Sequence, residues 1–203
     1  MTNKFISKSN NAFTLVEVIT SLAIVGVITA VVIFNYTKFN DNISLSSAGQ
    51  EIAVAIREAQ IYGLSVKETS VGSGQFTSAY GIHFSVNDPT NYVVFADTDA
   101  SYTYDVGSGA CGSSTTECIE KFSLKNNISI ANVCDELACP PESSVRKLNI
   151  VFLRPSPDAR IYFTNNGGAI KTGPSIRARI ILTSTKGLTA TTTVEVTGHI
   201  LTK

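Results

Sequence analysis

The sequence carries four cysteines in two close pairs, Cys111 with Cys118 and Cys134 with Cys139. Thiols placed in this way could close disulfides or bind zinc. Zinc sites usually need cysteines at C-x-x-C-like spacing, whereas these pairs are seven and five positions apart, with no histidine nearby. We therefore favour two disulfides. The short local pairings are our first choice among three connectivities, and a crossed pairing between the two loops is the alternative.

The residue types that enzymes use are present without the motifs that catalysis needs. The two histidines, His83 and His199, are far apart, and no nucleophile motif such as G-x-S-x-G occurs. Asp97 and Asp99 in "ADTDA" could contact calcium, but they are an incomplete ligand set and are typical of a solvated turn. The stretch "SGACGSSTTEC" lacks the lysine of a phosphate-binding loop. We predict no enzyme activity and no metal or other cofactor.

A further carboxylate, Glu17, lies in an unusual place. It is the single charge in residues 13–34, which are otherwise apolar, small or hydroxyl-bearing. As a helix this segment would be roughly 33 Å long, which matches the hydrocarbon core of a bilayer. A carboxylate there costs about 2.5–3.5 kcal/mol even on the gentler scales, so a partner is expected. Lys4 and Lys8 precede the segment and favour a cytoplasmic N-terminus.

Two ordinary interpretations of this segment are incomplete. A secretory signal peptide would have an apolar run of about 7–15 residues followed by a small-residue cleavage site. The run here is longer, and no clear A-x-A site follows it. A plain single-pass anchor explains everything except Glu17.

A third interpretation starts from the junction "NAFTLVEVITSLAIVGVI". It resembles the class III signal of type IV pilins and type II secretion pseudopilins, in which a basic leader is removed before a Phe and the new amine is methylated. The resemblance implies cleavage between Ala12 and Phe13, N-methylation of Phe13, and an assembly role for Glu17 as the partner of a neighbouring subunit's amine. That family usually has Gly before the cut, where this chain has Ala12.

The resemblance also implies partners and a location. The partners are other pilin or pseudopilin subunits, prepilin peptidase and an inner-membrane assembly platform. The chain would span the inner membrane once, with its N-terminus cytoplasmic and its globular domain extracytoplasmic, and would then enter a fibre. A membrane-anchored binding domain that never polymerises is the alternative.

The element that positions these residues is a long helix. Residues 1–12 are the predicted leader, 13–36 the membrane-spanning or filament-core half, and 37–68 the amphipathic half. In the amphipathic half, apolar or small residues recur at three- and four-residue steps. They are Leu45, Ala48, Ile52, Ala55, Ile56, Ala59 and Gly63. Two helices with a break near 40–42 are the alternative.

The remaining residues, 69–203, predict a β-rich globular domain. Three hairpins are expected, over 80–86 with 91–97, 147–155 with 160–164, and 175–184 with 189–200. The alternation in "SIRARIILTS" indicates a sheet with one covered face, and the apolar stripe of the helix is its natural cover. The predicted fold class is α+β, a long N-terminal helix packed against an antiparallel sheet, as in pilins. Residues 101–146, which contain the cysteines, are expected to be a surface insertion with short strands at most.

This order of parts resembles the H-type minor pseudopilins and the related FimT-like minor pilins. The resemblance lies in "IREAQIYGLSV", "YGIHF", "YVVFAD", "FLRPSPDARIYF" and "VEVTGHI". It implies a minor subunit. The family often has Gly-Arg before its last apolar residue, where this chain has Gly198 and His199.

Some FimT-like minor pilins act in DNA uptake, so DNA is a possible but secondary partner. The formal net charge is zero, so no overall basic field attracts nucleic acid. The candidates for phosphate contact are Arg177, Arg179 and Lys186, provided that they share an exposed face. Two alternating arginines are more often a solvated face of a sheet.

Overall fold

The computed structural model describes residues 13–65, 67–69, 74, 76–139 and 144–203, with only the backbone described for 34–38. The predicted leader, 1–12, lies outside the described residues. The chain divides into two compact units, Met1–Asn40 and Asp41–Lys203.

A single helix, α1, runs over Leu15–Leu64. The alternative of two helices with a break near 40–42 is therefore not what the structure has. The helix begins at a side-chain cap, because the Thr14 hydroxyl accepts a hydrogen bond from the Glu17 N–H at 3.3 Å. No proline interrupts the helix, and small residues or good helix formers supply much of its second half.

In the first unit, the apolar part of α1 has the length and composition of a membrane span. Over Leu15–Ile33 the mean hydropathy is 2.5, and none of this segment is buried. Its hydroxyl groups bond within the helix. Ser21 donates to the Glu17 carbonyl at 2.7 Å, and Thr29 donates to the Val25 carbonyl at 2.8 Å. These bonds satisfy the hydroxyl groups, which would find no hydrogen-bond partner in the hydrocarbon core of a membrane.

In the second unit, antiparallel strands form two sheets. The six-stranded sheet has the order β3-β2-β1-β5-β6-β7, and the four-stranded sheet has the order β10-β9-β8-β4. The strands are β1 Ala79–Ser85, β2 Asn91–Asp97, β3 Cys118–Ser123, β4 Ser129–Cys134, β5 Val145–Phe152, β6 Ala159–Asn165, β7 Ile170–Ser175, β8 Arg177–Thr183, β9 Thr189–Glu195 and β10 Ile200–Thr202.

The core of the second unit lies between the sheets and one face of α1. Ile52 and Ile56 of the helix are fully buried, in one cluster with Ile82 of β1 and Ile150 of β5. Burial of each such side chain stabilises the fold by about 1.5–3 kcal/mol. Helix and antiparallel sheets therefore share one core, and the predicted α+β class is confirmed.

The three predicted hairpins correspond to β1–β2, β5–β6 and β8–β9. Two further strands were not expected. In β7 the sequence "IKTGPS" contains Gly173 and Pro174, which are typical of a turn, yet an edge strand accepts proline because its free side needs no N–H. β10 has only three residues, which is too short for a strand pattern to be recognised in the sequence. The two sheets replace the single sheet that we expected.

The segment 101–146, expected to be a surface insertion with short strands at most, supplies the six-residue strands β3 and β4, and both belong to the sheets. Ile130 and Val133 of β4 are buried in the main core, and β4 pairs with β8. Residues upstream of β3 pack on the outer face of the larger sheet. There Tyr104 packs against a second cluster that includes Phe95 and Val151.

Candidate functional site

The residues of the predicted assembly site lie at the start of α1. Phe13 is 80% exposed and the Glu17 side chain is also exposed. Ala12, on the other side of the predicted cut, lies outside the described residues. Glu17 is the acidic residue of the first helical turn, three positions after the capping Thr14. An acid at this position interacts favourably with the helix dipole and the unpaired N–H groups of the first turn.

The Glu17 carboxylate lies outside the ion pairs of the part of the chain that the structure describes. The ion pairs found among the described residues join Lys121 to Asp88, Arg177 to Glu195 and Lys186 to Asp41, so none of them involves Glu17. Its backbone carbonyl is used, because Ser21 and Thr20 donate to it. The side chain is therefore available to a cation from outside the described part of the chain.

The four cysteines form two local disulfides. Cys111 pairs with Cys118 across a Cα–Cα distance of 4.6 Å, and Cys134 pairs with Cys139 across 4.4 Å. No cysteine is left free. The arrangement therefore provides no thiolate for zinc or for nucleophilic chemistry.

Three carboxylates meet near the end of β2, one more than the sequence suggested. The oxygens of Asp97, Asp99 and Glu117 lie within 4.8 Å of one another. Glu117 could not be recognised from the sequence because it lies far from Asp97 and Asp99 in the chain. A backbone hydrogen bond from the Ala96 N–H to the Glu117 carbonyl, at 2.9 Å, holds it beside β2. This juxtaposition comes from strand pairing and leaves no short-range signal in the sequence.

The hydrogen bonds of this cluster fix the loop that follows β2. Asp97 accepts the N–H groups of Ser101 at 3.0 Å and Tyr102 at 3.1 Å. Glu117 accepts the N–H groups of Thr98 at 2.8 Å and Asp105 at 2.9 Å. Burial raises the pKa of Asp97 to about 6 and also raises the pKa of Glu117. The two buried carboxylates thus act as anchors of backbone groups.

His83 is a buried structural histidine. Its Nδ1 lies 2.7 Å from the amide oxygen of Asn149, which accepts the ring N–H, and its ring packs on Tyr104. Burial lowers the pKa of His83 to about 4, so the ring is neutral at physiological pH. His199 is exposed in the turn before β10. The partner of the His83 ring in this hydrogen bond is the side-chain amide of Asn149. This bond therefore does not prepare a hydroxyl or a thiol for nucleophilic attack.

The three cations proposed for phosphate contact have partners within the chain. Arg177 pairs with Glu195 at 2.8 Å. Arg179 donates from Nε and Nη2 to the Asp135 carbonyl, at 3.2 and 3.0 Å. Lys186, in the turn at the other end of β8, pairs with Asp41 at 3.0 Å.

The structure brings together two of these three cations. Arg177 and Arg179 share one face of β8 and line a shallow groove with Glu195 and Lys203. Glu195 partly neutralises this groove, and the Asp135 carbonyl already accepts two N–H groups of Arg179, so no specific observation favours DNA as a ligand.

Comparison with known families identifies the start of the chain. Residues 7–33 match the family model of the prokaryotic N-terminal methylation motif. The match covers the second half of the predicted leader, the Ala12–Phe13 junction, Glu17 and most of the apolar helix. It supports a relationship to type IV pilins and pseudopilins, a structural rather than enzymatic family, and it fits anchoring in a membrane. No curated protein and no solved structure gave a significant match to the chain.

Proposed function

We propose that this protein is a minor pilin-like subunit of a type IV pilus or a type II secretion pseudopilus. Prepilin peptidase removes residues 1–12, the amine of Phe13 is methylated, and the subunit assembles through its N-terminal helix. The observation that carries the proposal is Glu17, a carboxylate without an ion-pair partner among the described residues. It stands in the first turn of an exposed apolar helix and inside the matched methylation motif.

The proposed assembly follows from the cost of charges in lipid. Cleavage before Phe13 creates a cation at the end of an apolar helix. Glu17 lies four residues, or about one helical turn, further on. Each charge alone in lipid carries a large desolvation cost. Much of that cost is offset when the Glu17 carboxylate of one subunit pairs with the Phe13 amine of its neighbour. Glu17 therefore sets the register between subunits and has no catalytic task.

The proposed location is the inner membrane, with the N-terminus cytoplasmic, before the subunit passes through the assembly platform into the fibre. Lys4 and Lys8 support this orientation through the positive-inside rule. The disulfides support it too, because structural disulfides persist in compartments outside the cytosol.

A minor rather than a major role is supported by the H-type resemblance. Three of the stretches that carry it lie in β1, in β2 and in the β5–β6 hairpin, and the other two lie at the end of α1 and around the β9–β10 turn.

Mass spectrometry of the mature N-terminus tests the proposal. The full chain is expressed in a bacterial host with prepilin peptidase and in a matched host that lacks it. We expect an N-terminal peptide that begins with methylated Phe13 in the first host and an intact leader in the second. An intact leader in both hosts would contradict the proposed processing.

A further inference from the structure

Several turns of the second unit meet the first residues of α1 in that unit, at one end of the strands. The ion pair between Lys186 and Asp41, at 3.0 Å, places the β8–β9 turn beside the helix there. In the β3–β4 turn, the Asn126 side chain donates to the Ser44 hydroxyl at 3.4 Å. Both turns therefore lie at the end of the unit where α1 enters it.

Strand pairing brings further turns to the same end. The Leu124 N–H, after β3, donates to the Thr90 carbonyl of the β1–β2 turn at 2.8 Å. The last residue of β1, Ser85, pairs with Lys147 near the start of β5. Lys147 in turn donates through Nζ to the Asn166 carbonyl of the β6–β7 turn, at 3.2 Å. One end of both sheets thus consists of these turns.

The side chains at this end are mostly cations, so we call it the basic end. Its cations are exposed or half-exposed and comprise Lys125, Arg146, Lys147, Lys171, Lys186 and Lys203. The carboxylates that the described residues place there are Asp41 and Asp88, and they already pair with Lys186 and Lys121. The other cations of the basic end belong to none of the ion pairs found in the described part of the chain.

Carboxylates are concentrated at the opposite end of the strands. Asp97, Asp99 and Glu117 meet where β2 ends and β3 begins, and Asp135 and Glu136 follow β4 directly. The second unit is therefore electrically polar along its strands. The formal net charge of zero conceals this polarity, because it sums over both ends.

The chain itself keeps the basic end close to the apolar segment of α1. Asp41 follows Ile33, the last residue of the candidate membrane span, by eight positions, which is about 12 Å of helix. The headgroup region of a bilayer extends about 5–8 Å beyond each side of the hydrocarbon core. Lysine and arginine side chains are long enough to reach across the remaining distance.

We propose that the basic end is a docking surface for the anionic phospholipid headgroups of the bilayer that α1 spans. Lysine and arginine clusters beside a span attract the phosphates of anionic lipids, and this attraction fades within a screening length. The basic end combines several cations on separate turns with a short connection to the span. Docking holds the globular unit on the bilayer surface until the subunit is assembled. The inference rests on the membrane location given in the proposed function.

Fluorescence quenching on the full chain in vesicles tests the docking. Thr185→Cys carries a fluorophore in the β8–β9 turn, and Val106→Cys, an exposed position beside Thr98 and Asp99, is the matched control at the acidic end. The native cysteines are all paired and take no label. The vesicles contain a trace lipid with a nitroxide on its headgroup, in phosphatidylcholine alone or with phosphatidylglycerol added. We expect the anionic lipid to raise quenching about twofold at Thr185→Cys and to leave Val106→Cys unchanged.

Salt and charge reversal identify the cause of that difference. Raising the salt from about 0.1 M to about 1 M should abolish the difference, because the screening length falls from about 10 Å to about 3 Å. Lys125→Glu combined with Lys171→Glu should remove about half of it. Lys125→Arg combined with Lys171→Arg keeps the charge and should behave like the wild type. Thermal unfolding of both double variants checks the fold, and the salt series on the wild-type residues does not depend on it.

The docking and the proposed function fail in different ways. Equal quenching in neutral and anionic vesicles would overturn the docking, as would a charge-reversed variant that keeps the whole difference. If that variant keeps the difference but loses assembled protein, the basic end serves an acidic protein partner and the lipid docking is wrong. An intact leader in a host with prepilin peptidase contradicts the proposed processing and leaves the vesicle result unaffected. A chain that does not insert into vesicles contradicts both.

Discussion

Gly63 of α1 lies directly against Phe152 of β5. A Cβ added at Gly63 would lie 2.6 Å from the Phe152 carbonyl oxygen and 2.8 Å from the Phe152 Cβ, both closer than real Cβ atoms approach. The glycine thus lets the end of the helix touch the backbone of the sheet. It ties the end of α1 to a strand at the centre of the larger sheet.

We therefore predict that Gly63→Ala destabilises the protein by about 1–3 kcal/mol, because the helix must move away from the sheet. The matched control is Gly49→Ala in the same helix, where the nearest atom to an added Cβ is the Thr192 hydroxyl at 3.5 Å, an ordinary contact. There alanine should be neutral or stabilise by up to about 1 kcal/mol through helix propensity. Chemical denaturation measures both, and equal effects would contradict the role of Gly63.

A second prediction concerns His83 and acid. Its pKa in the folded protein is about 4, below the ordinary value of 6.5, because of burial. The unfolded chain therefore takes up a proton first as the pH falls. The stability that this group contributes is complete above about pH 6.5 and is lost progressively towards pH 4, by about 3 kcal/mol in all.

Urea denaturation at pH 7 and pH 4 checks this prediction. His83→Gln should reduce the loss of stability between the two pH values by most of that amount. His199→Gln, at the exposed histidine, should leave the loss unchanged. The prediction is wrong if the two variants show the same dependence on pH.

A third prediction concerns Glu17. Glu17→Gln keeps the size and the polar head of the side chain but cannot neutralise a cation. We expect the variant to enter the membrane normally and to lose at least tenfold in assembled protein. Electron microscopy and sedimentation of sheared fibres measure assembly. Glu120→Gln, at an exposed carboxylate of β3, should assemble like the wild type.

The fourth prediction concerns the residue before the cut. The related signals usually have Gly at this position, and Ala12 adds only a methyl group to it. We expect Ala12→Gly to be cut faster than the wild type and Ala12→Leu to stay uncut. Pulse labelling followed by gel electrophoresis measures the rate. Equal rates for Gly, Ala and Leu would show that the junction lies elsewhere.

Much of the fold could be predicted because its signals are local. The three hairpins consist of β-branched and aromatic runs around clear turns, and the core-facing residues of α1 repeat every three or four positions. Ile52 and Ile56, expected on the apolar side, are fully buried. The apolar start of α1 was equally clear from length and hydropathy.

The missed features depend on contacts between distant parts of the chain. Glu117 joins Asp97 only because strand pairing brings them together, and β7 looks like a turn until β6 supplies its hydrogen bonds. The division into two sheets is likewise a matter of which strands meet. The partners of Arg177 and Arg179 could not be foreseen, since Glu195 and Asp135 come from a neighbouring strand and a separate loop.

The short span of the two disulfides bears on the order of events during folding. Cys111 and Cys118 are seven positions apart, and Cys134 and Cys139 are five apart, so each pair can meet before any strand has paired. Closing such short loops costs less chain entropy than a crossed pairing between them would. Each loop can therefore be oxidised by itself, in the order in which the two loops occur along the chain, without waiting for β8–β10.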